Sequence, residues 1–181
     1  YISIHNLIQG SKMLRESNYT IRSLENSFSL VKDTETGQRG YLLTGNQRFL
    51  EPYNDAKNKI EQQLDELEAE LSNSPTQAKN FVKLRESING RITVLDENLD
   101  YKKNNKEITS EQLLSGKKYM DEIRRTVALM QKEEEALLKS RTDTMNSFAA
   151  FTPWLIIFSS LLSIGITLFF FQKVAKDFNE K

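Results

Sequence analysis

The sequence predicts an all-α protein: an antiparallel, up-down-up-down four-helix bundle with long first and fourth helices, the last of which continues into a C-terminal transmembrane helix. Glycine and proline are scarce, at seven and three of 181 residues, and residues that favour long solvated helices dominate the composition. Apolar residues recur at alternating steps of three and four, which is typical of helices packed along a seam. Residues 148–171 contain no charged side chain and are numerous enough to cross a bilayer. We therefore expect a bundle over 1–147, a membrane span over 148–171 and the start of a cytoplasmic segment over 172–181.

The charge balance and the scarcity of metal-binding side chains argue against several classes of function. The chain has 25 basic and 25 acidic residues, so we expect no strongly basic surface and no nucleic acid partner. It has no cysteine and a single histidine, His5, so a zinc site, a disulfide framework and a thiol nucleophile are not expected. No set of acid, base and nucleophile typical of an active site is visible. We expect a non-enzymatic chain with no cofactor and no metal.

The first predicted helix covers residues 4–43 and carries two polar residues where apolar ones are expected. Its predicted seam consists of apolar side chains at helical spacing: Leu7, Leu14, Ile21, Leu24, Phe28, Val31 and Leu42. Glu35 and Gln38 occupy the same seam. These two exceptions mark a segment in which packing alone does not explain the choice of residues.

A short turn separates the first two helices. Gly45 suits the left-handed conformation that often follows the end of a helix. Thr44 and Gln47 have the spacing of a capping box for a second helix over 46–71. The short connection predicts that the two helices are antiparallel neighbours.

Further cap signals start the third and fourth helices. Ser74 is a candidate N-cap and Pro75 suits the first position of a helix over 75–104. Thr109 with Gln112, or Ser110, caps a fourth helix that runs on towards the uncharged segment.

The helix lengths predict a stalk and a dimer. At about 1.5 Å per residue, the first and fourth helices reach roughly 60 Å, while the second and third reach roughly 40 to 45 Å. The excess length of the outer pair is expected to project towards the membrane as a two-helix stalk that buries little alone. We therefore expect a homodimer.

Tyr1 is not a start methionine, and we expect the chain to be part of a longer protein with a first transmembrane helix before it.

The uncharged segment predicts a membrane anchor, and the lipid bilayer is therefore an expected partner. A buried core helix is the alternative, but a domain this small cannot cover such a helix on all sides. Pro153 and Trp154 suit the membrane interface at one end of the segment, and Lys173 and Lys176 suit the other end. The lysines after the segment favour a cytoplasmic C-terminus by a narrow margin of charge.

The motif DTETGQRGYLLTGNQRFLEPY, from Asp33 to Tyr53, resembles the signature of the third class of CHASE-type extracellular sensor domains. The resemblance implies a four-helix domain between two transmembrane helices of bacterial receptors such as sensor histidine kinases and diguanylate cyclases. It implies that the bundle lies in the periplasm or exterior, the span in the bacterial inner membrane and the C-terminus in the cytoplasm. It brings no established ligand with it.

Three interpretations of the motif are open, and the leading one is packing. Gly37 and Gly40 then remove side chains where another helix comes close, at a cost of about 1 kcal/mol each in helix propensity. Glu35 and Arg39, four residues apart, can form an ion pair along the helix. Gln38 can form a hydrogen bond across the core and fix the register, as polar seam residues do in coiled coils.

The second interpretation is binding of a small polar ligand. The missing side chains would open a pocket near the tip of the bundle. The candidate lining is polar or aromatic: Glu35, Gln38, Arg39, Tyr41, Tyr53 and Tyr101. A role of the motif in dimer contact is a third interpretation.

The leading functional hypothesis is an input module that responds to a small-molecule or protein stimulus and passes a conformational signal through the transmembrane helix to a cytoplasmic output domain. The parent protein is expected to be a histidine kinase or a diguanylate cyclase. One alternative is a membrane-anchored helical adaptor that binds other proteins. The ligand-binding region of a chemotaxis receptor is another, since it shares this architecture.

Overall fold

The computed structural model describes the backbone of residues 2–72 and 74–179. The side chains of 2–7, 148–149, 152, 174–175 and 177–179 lie outside the described residues. Four α-helices follow one another: α1 (Ile2–Thr44), α2 (Leu50–Leu71), α3 (Pro75–Lys103) and α4 (Ser110–Asn179), with a short 3-10 helix at Gln47–Phe49. No strand occurs in the described ranges. The prediction of an all-α up-down-up-down bundle with long outer helices is confirmed.

The chain divides into two compact units. One is Met13–Leu138 and contains the four-helix bundle; the other combines Tyr1–Lys12 with Lys139–Lys181. The core of the bundle is built from aliphatic and aromatic side chains of all four helices, each at most 8% exposed: Leu24, Val31, Ile60, Leu64, Leu67, Leu71, Phe81, Leu84, Ile88, Met120, Ile123, Val127 and Met130. Burial of such side chains is the main stabilising term, at about 25 cal/mol per Å² of apolar area.

The seam of α1 is more polar than the sequence suggested. Its buried positions include small hydroxyl residues at helical spacing: Ser17, Thr20, Ser23, Ser27 and Thr34. The Ser27 hydroxyl donates to the Ser23 carbonyl at 2.8 Å, and the Thr34 hydroxyl donates to the Val31 carbonyl at 2.7 Å. Because each of these two hydroxyls is satisfied within its own helix, burial leaves neither unpaired.

Several apolar residues assigned to the α1 seam are therefore only half-buried. These are Leu14, Ile21, Phe28 and Leu42, while Leu24 and Val31 are fully buried as predicted. The side chain of Leu7 lies outside the described residues. The predicted seam was displaced from the buried face of α1 because only apolar residues were counted. Serine and threonine side chains whose hydroxyl groups bond to the preceding turn can be buried like small apolar residues.

The turn between α1 and α2 confirms one cap prediction and corrects another. Gly45 has φ +71° and donates its N–H to the Tyr41 carbonyl at 2.7 Å, so the left-handed C′ prediction is confirmed. The predicted capping box of Thr44 and Gln47 is wrong. Instead the Asn46 Oδ1 accepts a hydrogen bond from the Arg48 N–H at 3.0 Å, which starts the 3-10 helix and delays α2.

The later helix ends agree better with prediction. Ser74 is extended and precedes Pro75, although its side chain makes no cap hydrogen bond. The box at the start of α4 is confirmed: Gln112 N–H donates to Thr109 Oγ1 at 3.3 Å, and Thr109 N–H donates to Gln112 Oε1 at 2.9 Å.

The second unit contains the apolar part of α4. Pro153–Lys173 is long and apolar enough to cross a membrane, judged by length and composition, and its side chains are not buried against protein. In the same unit, a Cβ atom added to Gly10 would lie 2.7 Å from the Met145 sulfur. The start of α1 and the middle of α4 therefore pack closely at this point.

Candidate functional site

The two glycines of the motif face the connection between α1 and α2. A Cβ atom at Gly37 would lie 2.7 Å from the Phe49 carbonyl oxygen and 3.0 Å from the Tyr53 nitrogen. Both of these are backbone atoms, which cannot move aside without shifting the chain. A Cβ atom at Gly40 would overlap the ring of Phe49. The absence of a side chain allows α1 to approach the backbone of this connection at Gly37 and the ring of Phe49 at Gly40.

Tyr41 and Tyr53 lie on the same packed side, in a small cluster with Leu95 and Leu99. The Tyr53 hydroxyl donates to Asp96 Oδ1 at 2.5 Å. The Lys57 ammonium group contacts Asp96 Oδ2 at 2.7 Å.

The surroundings of Tyr53 keep its hydroxyl in the neutral form. Burial raises the pKa of Tyr53 far above its ordinary value, and the Asp96 carboxylate adds to the rise. Tyr53 is therefore a neutral hydrogen-bond donor at physiological pH, and with Asp96 it ties α2 to α3.

A cavity of about 820 Å³ opens on the other side of the motif. Its walls are α1 and α4, and two residues of α3 also line it. It includes Glu35, Gln38 and Arg39 among the motif residues, but neither Tyr41 nor Tyr53. The predicted group of site residues is thus divided between a packed side and an open side. Tyr101 lines a separate, smaller hollow near the end of α3.

Glu35 is shared between two guanidinium groups at this cavity. Its Oε1 lies 2.6 Å from Arg39 Nη2, and its Oε2 lies 3.5 Å from Arg91 Nη2. The Arg39 side chain is 71% exposed, whereas that of Arg91 is only 8% exposed. Burial lowers the pKa of Arg91 below its ordinary value, although Glu35 opposes the shift. One carboxylate therefore faces two cations, of which one is buried.

Two buried polar atoms at the cavity have no hydrogen-bond partner in the described part of the chain. They are Arg91 Nε and Asn98 Oδ1, and both residues line the cavity. Gly116 of α4 leaves room for the Arg91 guanidinium group, since a Cβ atom there would overlap its Nη1. Buried polar groups are almost always paired, so both atoms call for an explanation.

Gln38, in contrast, is fully engaged in the core. It is 3% exposed, and its Nε2 donates to the Leu95 carbonyl across the bundle at 2.8 Å. This bond joins α1 to α3 beneath the cavity and fixes their relative register.

The outer rim of the cavity is basic. Asp121 contacts Lys117 at 2.5 Å and Arg124 at 2.9 Å. These cations, Lys117 first, hold the pKa of Asp121 below its usual range. Five basic residues line the cavity, and the two acidic ones are Glu35 and Asp121. The basic residues are Lys32, Arg39, Arg91, Lys117 and Arg124. The electrostatic field of the cavity therefore favours an anion.

Sequence reasoning missed Arg91 and Asn98. The alternating spacing of Phe81, Leu84 and Ile88 leads on to 91, 95 and 98, and both 91 and 98 are buried. A seam drawn through apolar residues alone passes through Ile92 instead of 91, but Ile92 is only half-buried. Keeping strictly to the spacing would have revealed polar residues on the inner face of α3.

The residues assigned to the membrane interface lie around the ends of the apolar segment of α4. Pro153 and Lys173 are its end residues, Trp154 is 68% exposed and Lys176 follows three positions later. Their interfacial role stays a prediction.

Comparison with known proteins identifies the family. The CHASE3 domain model matches residues 11–144. A solved structure, the sensor domain of the histidine kinase HK9 from Rhodopseudomonas palustris, is similar with a TM-score of 0.60 and 23% identity. The match covers 68% of this chain and 98% of that one, and at this identity it shows the fold. No curated protein matches the chain significantly. The chain belongs to the CHASE3 domain family and is an extracellular sensory module of a receptor.

Proposed function

We propose that the chain is the extracytoplasmic input module of a bacterial sensor histidine kinase and passes a conformational signal through its C-terminal helix to a cytoplasmic output domain. The observation that carries this proposal is the continuity of α4. One helix of 70 residues, Ser110–Asn179, contains both cavity-lining residues such as Leu113 and Met120 and the apolar segment Pro153–Lys173. A continuous helix transmits a rotation or a shift along its axis, because its hydrogen-bonded backbone resists local deformation.

The proposed orientation places the bundle outside the cytoplasm. Family membership supports this, since residues 11–144 match an extracellular sensor domain. Lys173, Lys176 and Lys181 follow the apolar segment, and basic residues are favoured on the cytoplasmic side of a span. The likeness to a histidine kinase sensor domain supports a kinase as the output domain.

The proposed mechanism is a change in the separation or rotation of α1 and α4, the two walls of the cavity. Occupation of the cavity would favour one arrangement of these helices over another. Two states that differ by a few kcal/mol are sufficient for switching, provided that the stimulus binds them unequally. We further propose that the receptor is a homodimer, which is supported by exposed apolar side chains on α4 such as Leu129 and Leu137.

Cysteine cross-linking of a chimeric receptor tests this function. The chain has no native cysteine, so it can be fused after Lys181 to a cysteine-free cytoplasmic core of a histidine kinase without background reaction. Single cysteines replace exposed residues on one face of α4 (Ser140, Thr144, Ser147) and on another (Thr142, Asn146). Oxidation then fixes different rotations of the helix in membranes, and autophosphorylation is measured.

We expect the two sets of cross-links to give kinase activities that differ about tenfold, equivalent to ~1.4 kcal/mol in the switching equilibrium. Reduction of the disulfides should restore one common activity. Equal activity at all five cross-linked positions would show that α4 does not carry the signal.

A further inference from the structure

The cavity between α1 and α4 is lined by two buried residues that each have one polar atom without a hydrogen-bond partner among the described residues. Arg91 is 6% exposed and Asn98 is 2% exposed, yet Arg91 Nε and Asn98 Oδ1 have no partner among the described residues. A buried group left in this state destabilises a fold. Both groups line the same cavity, so a bound molecule could supply the missing bonds of both.

The charges around Arg91 favour an anionic ligand. Glu35 is its acidic partner, at 3.5 Å, and Glu35 is held more closely by Arg39, at 2.6 Å. Asp121 on the rim is likewise shared by Lys117 and Arg124. The buried guanidinium group therefore shares its acidic partner Glu35 with Arg39. A planar carboxylate is well suited to it, because guanidinium groups bind carboxylates through paired hydrogen bonds.

The remainder of the cavity favours a molecule with an apolar body. Leu42 of α1 and Leu113, Leu114 and Met120 of α4 are part of its lining. A volume of about 820 Å³ falls within the range of small-molecule sites. An inorganic anion would leave most of this space and its apolar walls without contact.

The positions of Arg91 and Asn98 along α3 favour an elongated ligand. Arg91 and Asn98 are seven residues apart on α3, which corresponds to about 10 Å along the helix axis. A short chain with a carboxylate at one end and a hydrogen-bond donor at the other fits this backbone spacing. The groups accept different partners, since Arg91 Nε is a donor and Asn98 Oδ1 is an acceptor.

We propose that this cavity binds a small amphiphilic carboxylate, with its carboxylate on Arg91, its apolar body against Leu42 and Met120, and a hydroxyl or amino group at its far end donating to Asn98 Oδ1. Only the statement that this ligand is the stimulus rests on the proposed function. Binding itself is independent of signalling and is measured without it.

Three matched probes test the proposal: 6-hydroxyhexanoate, hexanoate and 1,6-hexanediol. They share one six-carbon chain and differ only in their terminal groups. Binding to the full chain in phospholipid nanodiscs is measured by titration calorimetry, with empty nanodiscs as the blank for partition into lipid. We expect millimolar or tighter binding of 6-hydroxyhexanoate, weaker binding of hexanoate and no measurable binding of the diol.

Four variants assign the binding to the named groups. Arg91→Met should weaken both carboxylates about tenfold or more, and Arg91→Lys should retain part of the affinity because it keeps the charge without the planar fork. Asn98→Leu should abolish the preference for 6-hydroxyhexanoate over hexanoate. Arg125→Met is the matched control, because it removes the same charge from the exposed surface of α4 without altering the cavity lining.

Circular dichroism verifies that each variant is folded, and Arg91→Lys keeps the test valid where Arg91→Met does not fold. Equal binding of the diol and the carboxylates would overturn the proposal, as would carboxylate binding that is unchanged by both Arg91 variants. Failure of both carboxylates to bind, or equally strong binding of inorganic phosphate, would also overturn it. Equal kinase activity at all five cross-linked positions would refute signalling through α4 and would leave these binding results unaffected.

Discussion

The two sides of the motif in α1 differ in their packing: the side that faces α2 is closely packed, and the side that faces α4 is open. On the side of α2, Gly37 packs against backbone atoms and Gly40 against the ring of Phe49, and nearby polar groups such as Tyr53 and Asp96 are paired. On the side of α4, Arg91 and Asn98 are buried beside open space with unmade hydrogen bonds. The comparison teaches that an unusual motif need not have a single purpose. Here one side is built for close packing, and the other has the chemistry of a site.

The helical period explains how both roles fit into one segment. Successive side chains are turned by about 100° around the helix axis, so neighbours in the sequence face different helices. Gly37 faces the α1–α2 connection, while the adjacent Gln38 reaches Leu95 of α3. Substitutions on the two sides should therefore have separable effects on stability and on binding.

The largest effect on stability is expected from Gly37→Ala. The added Cβ atom would lie 2.7 Å from a backbone oxygen of the α1–α2 connection, so the helix has to shift. We expect a loss of about 1–3 kcal/mol in the free energy of unfolding, which is typical of overpacking. Thermal unfolding followed by circular dichroism measures it. Gly165→Ala, where nothing lies within 4 Å, is the control and should not destabilise the protein, because alanine favours a helix over glycine. An equal loss in both variants would contradict the packing role.

A smaller effect is expected from Tyr53→Phe, which removes the hydroxyl that donates to Asp96. Because Lys57 still holds Asp96 and this carboxylate is partly exposed, we expect a loss of about 1.5 kcal/mol near neutral pH.

The pH dependence of the same variant sharpens the comparison. The folded protein raises the pKa of Tyr53, so in the wild type the phenol ionises more readily in the unfolded chain. Its stabilising contribution is complete below the ordinary tyrosine pKa of about 10 and is lost as the pH rises above it. The free energy of unfolding should therefore fall less steeply above that pH in Tyr53→Phe than in the wild type. Parallel curves for the two proteins would contradict this assignment.

Gly45→Ala should cost about 1 kcal/mol, because its φ of +71° strains any residue with a Cβ atom. Space is not the cause, since nothing lies within 4 Å of the added atom. Gly45→Asn is the matched control, because asparagine tolerates this conformation better than alanine. If both substitutions cost the same, the backbone conformation is not the reason for the glycine.

The smallest effect on stability is expected on the open side, from Arg91→Met. The variant removes a buried cation whose acidic partner Glu35 is shared, and Glu35 keeps its pair with the exposed Arg39. We expect the free energy of unfolding to change by less than about 1 kcal/mol in either direction. Denaturant unfolding without ligand measures it, and a loss of about 3 kcal/mol or more would mean that Arg91 supports the fold rather than a site.

Most of the fold could be predicted because it depends on repeated local signals. Helix number, helix direction, the left-handed Gly45 and the Thr109 cap all follow from composition, spacing and a few end residues. The start of α2 was displaced because Thr44 and Asn46 are both good caps, and only the three-dimensional turn decides between them.

The candidate site could be predicted in part. Glu35, Gln38 and Arg39 were visible as polar residues on or beside an apolar seam, and three of the six proposed lining residues do line the cavity. Arg91 and Asn98 were not found, because they lie on a different helix and their burial depends on how α3 packs. Tyr41, Tyr53 and Tyr101 were wrongly assigned to the pocket, because the sequence does not reveal which side of α1 faces α2, α3 or α4.

The sharing of Glu35 between two guanidinium groups has a mechanical consequence. Its contact with Arg91 joins α1 to α3, whereas its contact with Arg39 stays within α1. An incoming carboxylate would compete for Arg91 and leave Glu35 with Arg39 alone. The exchange would remove an ionic link between two helices and preserve the charge balance of both, so that the register of α1 against α3 would depend more on the hydrogen bond from Gln38 to the Leu95 carbonyl.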